Sequence, residues 1–197
     1  MRVDLTSAVR FDLPRGAVHT TGSGLAGQTG PADERVILVP VAALAEALAA
    51  APRDTREHVA RAIGGTIGRR AAARFGGIEG VRASDVDAFV ESLTAEIALA
   101  GFGVLALERW GKALVVVLEA APAFGSSFFA PLLEAALGAA TAWSSRTSLT
   151  CTHLSDDDGS RFLVARASSA EQVRVWISLG MTWAEAIRRL QRDGGSR

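Results

Sequence analysis

The spacing of apolar residues divides the chain after residue 53 into helices and pairs of strands. Apolar residues recur at helical intervals in three segments, which predicts amphipathic helices over 54–75, 85–101 and 128–143. The period changes to two in four segments, which predicts two β-hairpins, 104–109 with 113–119 and 147–153 with 162–166. Helices and antiparallel strand pairs therefore alternate along this part of the chain.

Both ends of the chain have patterns of their own. Near the C-terminus, Ser168 with Glu171 and Thr182 with Glu185 match the S/T-x-x-E capping box, which predicts short helices over 169–179 and 183–192. The first fifty residues are interrupted by Gly and Pro, and the pattern there predicts an extended segment at 8–20, a Gly-rich connector at 21–34, a strand at 35–39 and a helix at 41–50.

The order of these elements predicts an α+β fold in which an antiparallel sheet of two hairpins is flanked by helices on one side. We expect an N-terminal extension over 1–50, an α+β oligomerisation domain over 51–168 and C-terminal helices over 169–197. The runs 104–107 and 113–118 are nearly all apolar, so the first hairpin should be buried on both faces. A second copy of the chain would supply the missing cover.

Composition narrows the classes of partner. Arg and Lys together balance Asp and Glu at 21 each, so neither nucleic acid nor an anionic membrane is an expected partner. The longest apolar stretch, 97–107, is too short to span a bilayer, and no apolar segment typical of a secretory signal follows Met1. We therefore expect a cytoplasmic protein without a membrane span.

Motif-like runs in the chain do not predict catalysis or a cofactor. Residues 22–27 match G-x-G-x-x-G, but the following Gln-Thr-Gly-Pro is not a helix that would hold a pyrophosphate, which favours a connector. Residues 156–158 are three aspartates without the spaced ligands of a calcium loop, which favours an acidic turn. We expect no enzyme activity, no bound metal and no cofactor.

Cys151 and His153 are the residues with the most reactive side chains in this pattern. They lie two apart on a predicted strand, so both should point to one face. Two residues are too few for a metal site, and a nucleophilic pair would also need an orienting group. A buried thiol with a partnered imidazole is the favoured interpretation, and the lining of an apolar pocket is the alternative.

Gly64 and Gly68 lie four residues apart in a predicted helix, where each costs up to about 1 kcal/mol relative to Ala. Such a face favours the close approach of another helix or strand, and a contact of this kind is what an obligate oligomer would need. Arg69 and Arg70 follow, and they are either solvated or bridge to a neighbouring copy of the chain.

These glycines also belong to a longer resemblance. The run AIGGTIGRR (62–70) is similar to the G-x-x-x-G-x-R helix of the BcsD-like family of bacterial cellulose-synthesis proteins, and 97–108 resembles the step from helix to strand in that family. Residues 119–138 resemble its E-x-x-P…GS…APxLEGxxG segment. The tail 149–162 is similar to the end of 4-vinyl-reductase-type domains, with Ser160 in the place of a second cysteine.

The resemblance to the BcsD-like family implies a non-enzymatic, homo-oligomeric scaffold that organises a larger bacterial assembly, in that family as ring-like octamers built from dimers. It implies that the partners are copies of the chain itself and other proteins of the assembly, and that the fold is shared with 4-vinyl-reductase-type domains and Bet-type components of the TRAPP tethering complex. The 4-vinyl-reductase likeness implies the alternative function, a domain that senses a small hydrophobic ligand and acts as a regulatory adaptor.

Overall fold

The structure is a computed structural model that describes residues 19–21, 24–26, 39–111, 113–141, 149–155 and 159–194. The chain divides into two compact units, Met1–Pro40 and Val41–Arg197. The predicted boundaries after residues 50 and 168 differ from this division, because the helix that follows Pro40 and the C-terminal helices belong to the second unit.

The described part of the first unit is a pair of short strands. β1 (His19–Thr21) pairs antiparallel with β2 (Gly24–Ala26). β2 lies inside the segment 21–34, so the prediction of a connector is wrong at that point, because Leu25 is paired with Thr20 instead of lying in a loop. Most of the segments predicted at 8–20 and 35–39 lies outside the described residues.

The second unit contains the remaining elements. Its described helices are α1 (Val41–Ala49), α2 (Arg53–Ala73), α3 (Ile78–Ala83), α4 (Val86–Leu99), α5 (Ser126–Thr141), α6 (Ala167–Ser178) and α7 (Trp183–Gly194). Its described strands are β3 (Val104–Trp110), β4 (Ala113–Glu119), β5 (Leu149–Ser155) and β6 (Ser160–Arg166). The short α3 was absent from the sequence-based prediction.

The four strands of the second unit form one antiparallel sheet in the order β3-β4-β6-β5. Leu105 is paired with Leu118, and Val116 with Phe162, so the two predicted hairpins join through β4 and β6. The predicted α+β fold, with an antiparallel sheet of two hairpins flanked by helices, is confirmed.

One face of the sheet, here called the inner face, contributes to the larger core of the protein. Its residues Leu118 and Phe162 are almost fully buried, and they pack in one cluster with Leu93 of α4 and Leu132 of α5. Ile67 of α2 lies in the same cluster. The three longest helices therefore bury their apolar faces on this side of the sheet.

The opposite face, here called the outer face, is also covered by the chain itself. Val115 and Leu163 are completely buried there against Val173 of α6 and Ile187 of α7. The expectation of helices on one side only is wrong, because the C-terminal helices fold back over the sheet. The predicted burial of the first hairpin on both faces is confirmed for β4 and wrong for β3, in which only Leu105 is buried. The cover of β4 comes from α6 and α7 and not from a second copy.

The two edge strands of the sheet each bond to a helix side chain. On β3, the carbonyl oxygen of Leu105 accepts a hydrogen bond from Thr94 Oγ1 at 3.0 Å. On β5, Glu134 Oε2 accepts from Thr150 Oγ1 at 2.7 Å and from the N–H of Cys151 at 3.4 Å. A hydroxyl of α4 and a carboxylate of α5 thus hold the helices of the inner layer to the two margins of the sheet.

Of the two C-terminal capping boxes, one is formed. Thr182 Oγ1 and the N–H of Thr182 donate to Glu185 Oε2 at 2.7 and 3.0 Å, and the N–H of Glu185 donates back to Thr182 Oγ1 at 3.3 Å. The box predicted at Ser168 is wrong, because Ser168 is already inside α6 and Glu171 forms an ion pair with Arg174 instead.

In the described part of the chain, no helix has both the length and the apolar character that crossing a bilayer requires.

Candidate interaction surface

Gly64 and Gly68 lie where α2 crosses α5. A Cβ at Gly64 would overlap the carbonyl oxygen of Leu132, and one at Gly68 would overlap that of Ala136. The two helices therefore touch backbone to backbone, which only glycine permits at these positions. The close approach that the spacing predicts lies between two helices of one chain, and both glycines are buried there.

The two arginines after these glycines have different surroundings. Arg69 is exposed and donates to Thr66 Oγ1 of its own helix at 3.1 Å. Arg70 points to α4, where its Nε lies 3.4 Å from Oε2 of Glu96, and Arg74 donates to the other carboxylate oxygen. Glu96 is only 6% exposed, so the arginines compensate a buried charge. Arg70 therefore has its described ionic partner within the chain.

Cys151 is a buried residue of the main core. Burial raises the pKa of its thiol far above the ordinary range, and the nearby Glu134 carboxylate raises it further. A thiol of this kind stays protonated and is a weak nucleophile and a weak metal ligand. His153 follows on the same face of β5, with its ring centred 5.5 Å from that of Phe162.

An open cleft lies between α6 and α7, and we call it the α6–α7 surface. It measures about 550 Å³ and is lined by Trp176, Leu179, Gly180, Met181, Glu185, Arg189 and Arg192. The turn that forms it is a Schellman motif: the N–H of Met181 bonds to the carbonyl of Trp176, and Gly180 takes a φ of 90°.

Apolar side chains at this turn face solvent. Leu179 is 79% exposed, more than any other large apolar residue of the described chain, and Val175 of the preceding turn is 45% exposed. Leu179 is the last residue before Gly180, the glycine that ends α6. Exposed apolar residues beside one cleft are typical of a binding surface.

The charge of the α6–α7 surface is predominantly positive. The Arg189 guanidinium lies 4.7 Å from the centre of the Trp176 ring, a cation–π contact. Arg188 and Arg192 line an adjoining cleft of about 570 Å³. The carboxylate of Glu185 faces them but accepts both hydrogen bonds of the Thr182 cap, which lower its pKa.

The platform under this surface is held by aromatic and ionic contacts with the sheet. The rings of Trp110 and Trp183 meet edge to face at 5.0 Å, and Arg161 lies 5.4 Å over Trp183. Arg161 also bonds to Glu108 at 3.3 Å, and Gln191 of α7 donates to the carbonyl of Trp110. These contacts fix α7 against the first hairpin, so the cleft has a firm base.

Sequence reasoning did not identify this surface. The sequence contains two tryptophans and four arginines within the predicted C-terminal helices, but which of them come together depends on how α6 and α7 pack. Among the described residues, no group of three or more His, Cys, Asp or Glu side chains is arranged to hold a metal ion.

No protein-family model matches the chain, and no curated protein matches it significantly. The resemblance to the BcsD-like family stays a prediction.

Proposed function

We propose that this chain is a non-enzymatic assembly protein that binds further copies of itself through the α6–α7 surface, as a scaffold within a larger bacterial complex. The observation that carries the proposal is the exposure of Leu179 beside Trp176 and Met181. Apolar and aromatic groups ringed by arginines are the residue types that protein interfaces favour.

The state of the sequence-predicted residues is consistent with a scaffold. Cys151 has a buried, protonated thiol, and Arg70 serves to neutralise Glu96. Gly64 and Gly68 support the helix contact inside one chain. Because these groups take part in the fold, the side chains that remain available for binding lie on the surface of the described chain.

The alternative, a domain that senses a small hydrophobic ligand, would use a pocket at Cys151 and His153. Cys151 packs among the core residues of the inner face, and the two clefts described above lie on the other side of the sheet. These observations favour protein binding at α6–α7 over a ligand at Cys151.

The test is native mass spectrometry and sedimentation of the full-length protein over a concentration series. We expect a discrete homo-oligomer of unmodified mass. A monomer at every concentration would contradict the proposal, and a retained small molecule would favour the ligand-sensing alternative.

A matched pair of variants shows whether Leu179 is involved. Leu179→Glu should dissociate the oligomer without loss of helix content, because the side chain makes few contacts within the fold. Glu46→Arg, an exposed change on α1, should leave the oligomer intact. If both variants assemble like the wild type, the α6–α7 surface is not the interface.

A further inference from the structure

A second exposed patch complements the α6–α7 surface in charge and in apolar character. It lies at the start of α4 and consists of Asp85, Val86, Asp87, Ala88 and Glu91, here called the α4 patch. Val86 is 49% exposed, and three carboxylates surround it.

The carboxylates of the α4 patch are largely open to solvent. Asp87 is 73% exposed and lies 3.3 Å from Arg109, while Asp85 caps the helix by accepting the N–H of Asp87. Glu91 lies one turn after Asp87, on the same exposed side of α4. The patch keeps a net negative charge after the pairing with Arg109.

The α6–α7 surface has the opposite character. Among the described residues that line this surface and the adjoining cleft, there are three arginines, Arg188, Arg189 and Arg192, and one carboxylate, Glu185. The carboxylate is engaged in a helix cap, and Leu179 is the apolar centre. Val86 of the α4 patch is surrounded by carboxylates, whereas Leu179 of the α6–α7 surface lies among arginines. The two surfaces are therefore complementary in charge, and each has an apolar residue at its centre.

The two surfaces share no residue and belong to different layers. α4 packs in the core of the inner face, whereas α6 and α7 cover the outer face. One copy can therefore offer both surfaces at the same time, one to each of two neighbours.

We propose that the α6–α7 surface of one copy binds the α4 patch of the next. The proposal rests on the self-association proposed above and adds its geometry. A contact between two unlike surfaces is head-to-tail, so every added copy presents a new free end. Such contacts close into a ring when the rotation per copy permits, and otherwise continue as a filament.

The experiment uses two variants of the full-length chain, each damaged at one surface. Leu179→Glu with Arg192→Glu reverses the α6–α7 surface, and Val86→Arg with Glu91→Arg reverses the α4 patch. All four side chains are exposed, and neither Asp85 nor Arg189, which support the fold, is changed. Circular dichroism spectra with the helix content of the wild type establish that both variants fold.

We expect each variant alone to be monomeric by sedimentation, and an equimolar mixture of the two to associate, because the mixture still contains one intact surface of each kind. Raising the salt concentration should weaken wild-type assembly at least several-fold, since exposed charge pairs are screened. Glu46→Arg is the control and should assemble like the wild type.

Other outcomes overturn the proposal in distinguishable ways. If the wild-type protein is a monomer at every concentration, the chain does not self-associate, and the proposed function is wrong together with the head-to-tail contact. A wild-type oligomer that persists in the α4-patch variant, but not in the α6–α7 variant, shows that two α6–α7 surfaces pair with each other. Variants that stay monomeric when mixed also contradict the head-to-tail contact.

Discussion

On the inner side of the sheet, α2 and α5 meet so closely that Gly64 and Gly68 touch carbonyl oxygens of the partner helix, whereas on the outer side α6 and α7 surround an open cleft. The inner contact is made of backbone and small aliphatic groups. The outer layer uses tryptophan rings and arginines that reach both the sheet and solvent.

The difference indicates a division of roles between the layers. A helix pair packed at backbone distance has no room for change, because a single added carbon displaces a whole helix. Long amphipathic side chains adapt more easily, since their apolar parts pack while their charged ends stay in water. We expect the inner layer to determine the stability of the fold and the outer layer to determine its contacts.

The largest expected effect comes from filling the inner contact. Gly68→Ala should lower the free energy of unfolding by about 3 kcal/mol, because the new carbon overlaps the carbonyl oxygen of Ala136 and forces α2 away from α5. Urea unfolding followed by circular dichroism measures the change.

Gly138 of α5 provides the matched control. It is also helical, but a Cβ there would meet nothing within 4 Å. Gly138→Ala should therefore raise stability by up to about 1 kcal/mol through helix propensity alone. Similar losses at both positions would show that backbone contact between the helices is not the cause.

A smaller effect is expected from the outer layer. Trp183→Ala removes the ring between Trp110 and Arg161 and should cost about 2 kcal/mol, less than a completely buried tryptophan. Hydrogen exchange should become faster in α6 and α7 while α2 and α5 stay protected. Gln172→Ala, at an exposed site of α6 outside the α6–α7 surface, is the control. Equal acceleration in all four helices would contradict the separation of the layers.

The smallest effect concerns the cap of α7 and depends on pH. The hydroxyl and N–H of Thr182 donate to Glu185 and lower its pKa below the ordinary 4.5. A lowered pKa in the folded protein means that the ionised carboxylate stabilises the fold. The contribution of the Glu185 carboxylate to the free energy of unfolding is complete above pH 4.5 and is lost as the pH falls through the lowered pKa.

Thr182→Ala should consequently lower the melting temperature by a few degrees at pH 7 and by less at pH 3, where only the bond from the N–H of Glu185 to Thr182 Oγ1 is independent of the carboxylate charge. Differential scanning calorimetry at both pH values measures this gap, the difference in melting temperature between the wild type and the variant. Ser168→Ala is the matched control, since Ser168 belongs to the capping box that does not form. An equal gap at both pH values would mean that the Glu185 carboxylate takes no part.

The sequence predicted those elements whose signal is local. Alternating apolar residues located both hairpins, and Gly64 with Gly68 indicated a close helix contact. α3 was missed because six residues between Gly77 and Ser84 are too few for a helical period to emerge.

What depends on packing across the chain could not be predicted. An apolar strand shows that both faces are buried but not which chain covers them, so α6 and α7 replaced the expected second copy at β4. The burial of Glu96 depends on Arg70 and Arg74 of another helix, so the sequence of α4 alone does not indicate it. The α6–α7 surface depends in the same way on how two helices converge.

The hydrogen bonds at the margins of the sheet limit how copies of this chain can join. A sheet edge with free N–H and C=O groups is a template for strand addition and for aggregation. Here Thr94 occupies a carbonyl of β3 and Glu134 occupies an N–H of β5, so an incoming strand would first have to displace a helix side chain. The fold thereby resists growth of a continuous intermolecular β-sheet and leaves association to the surfaces of its helices.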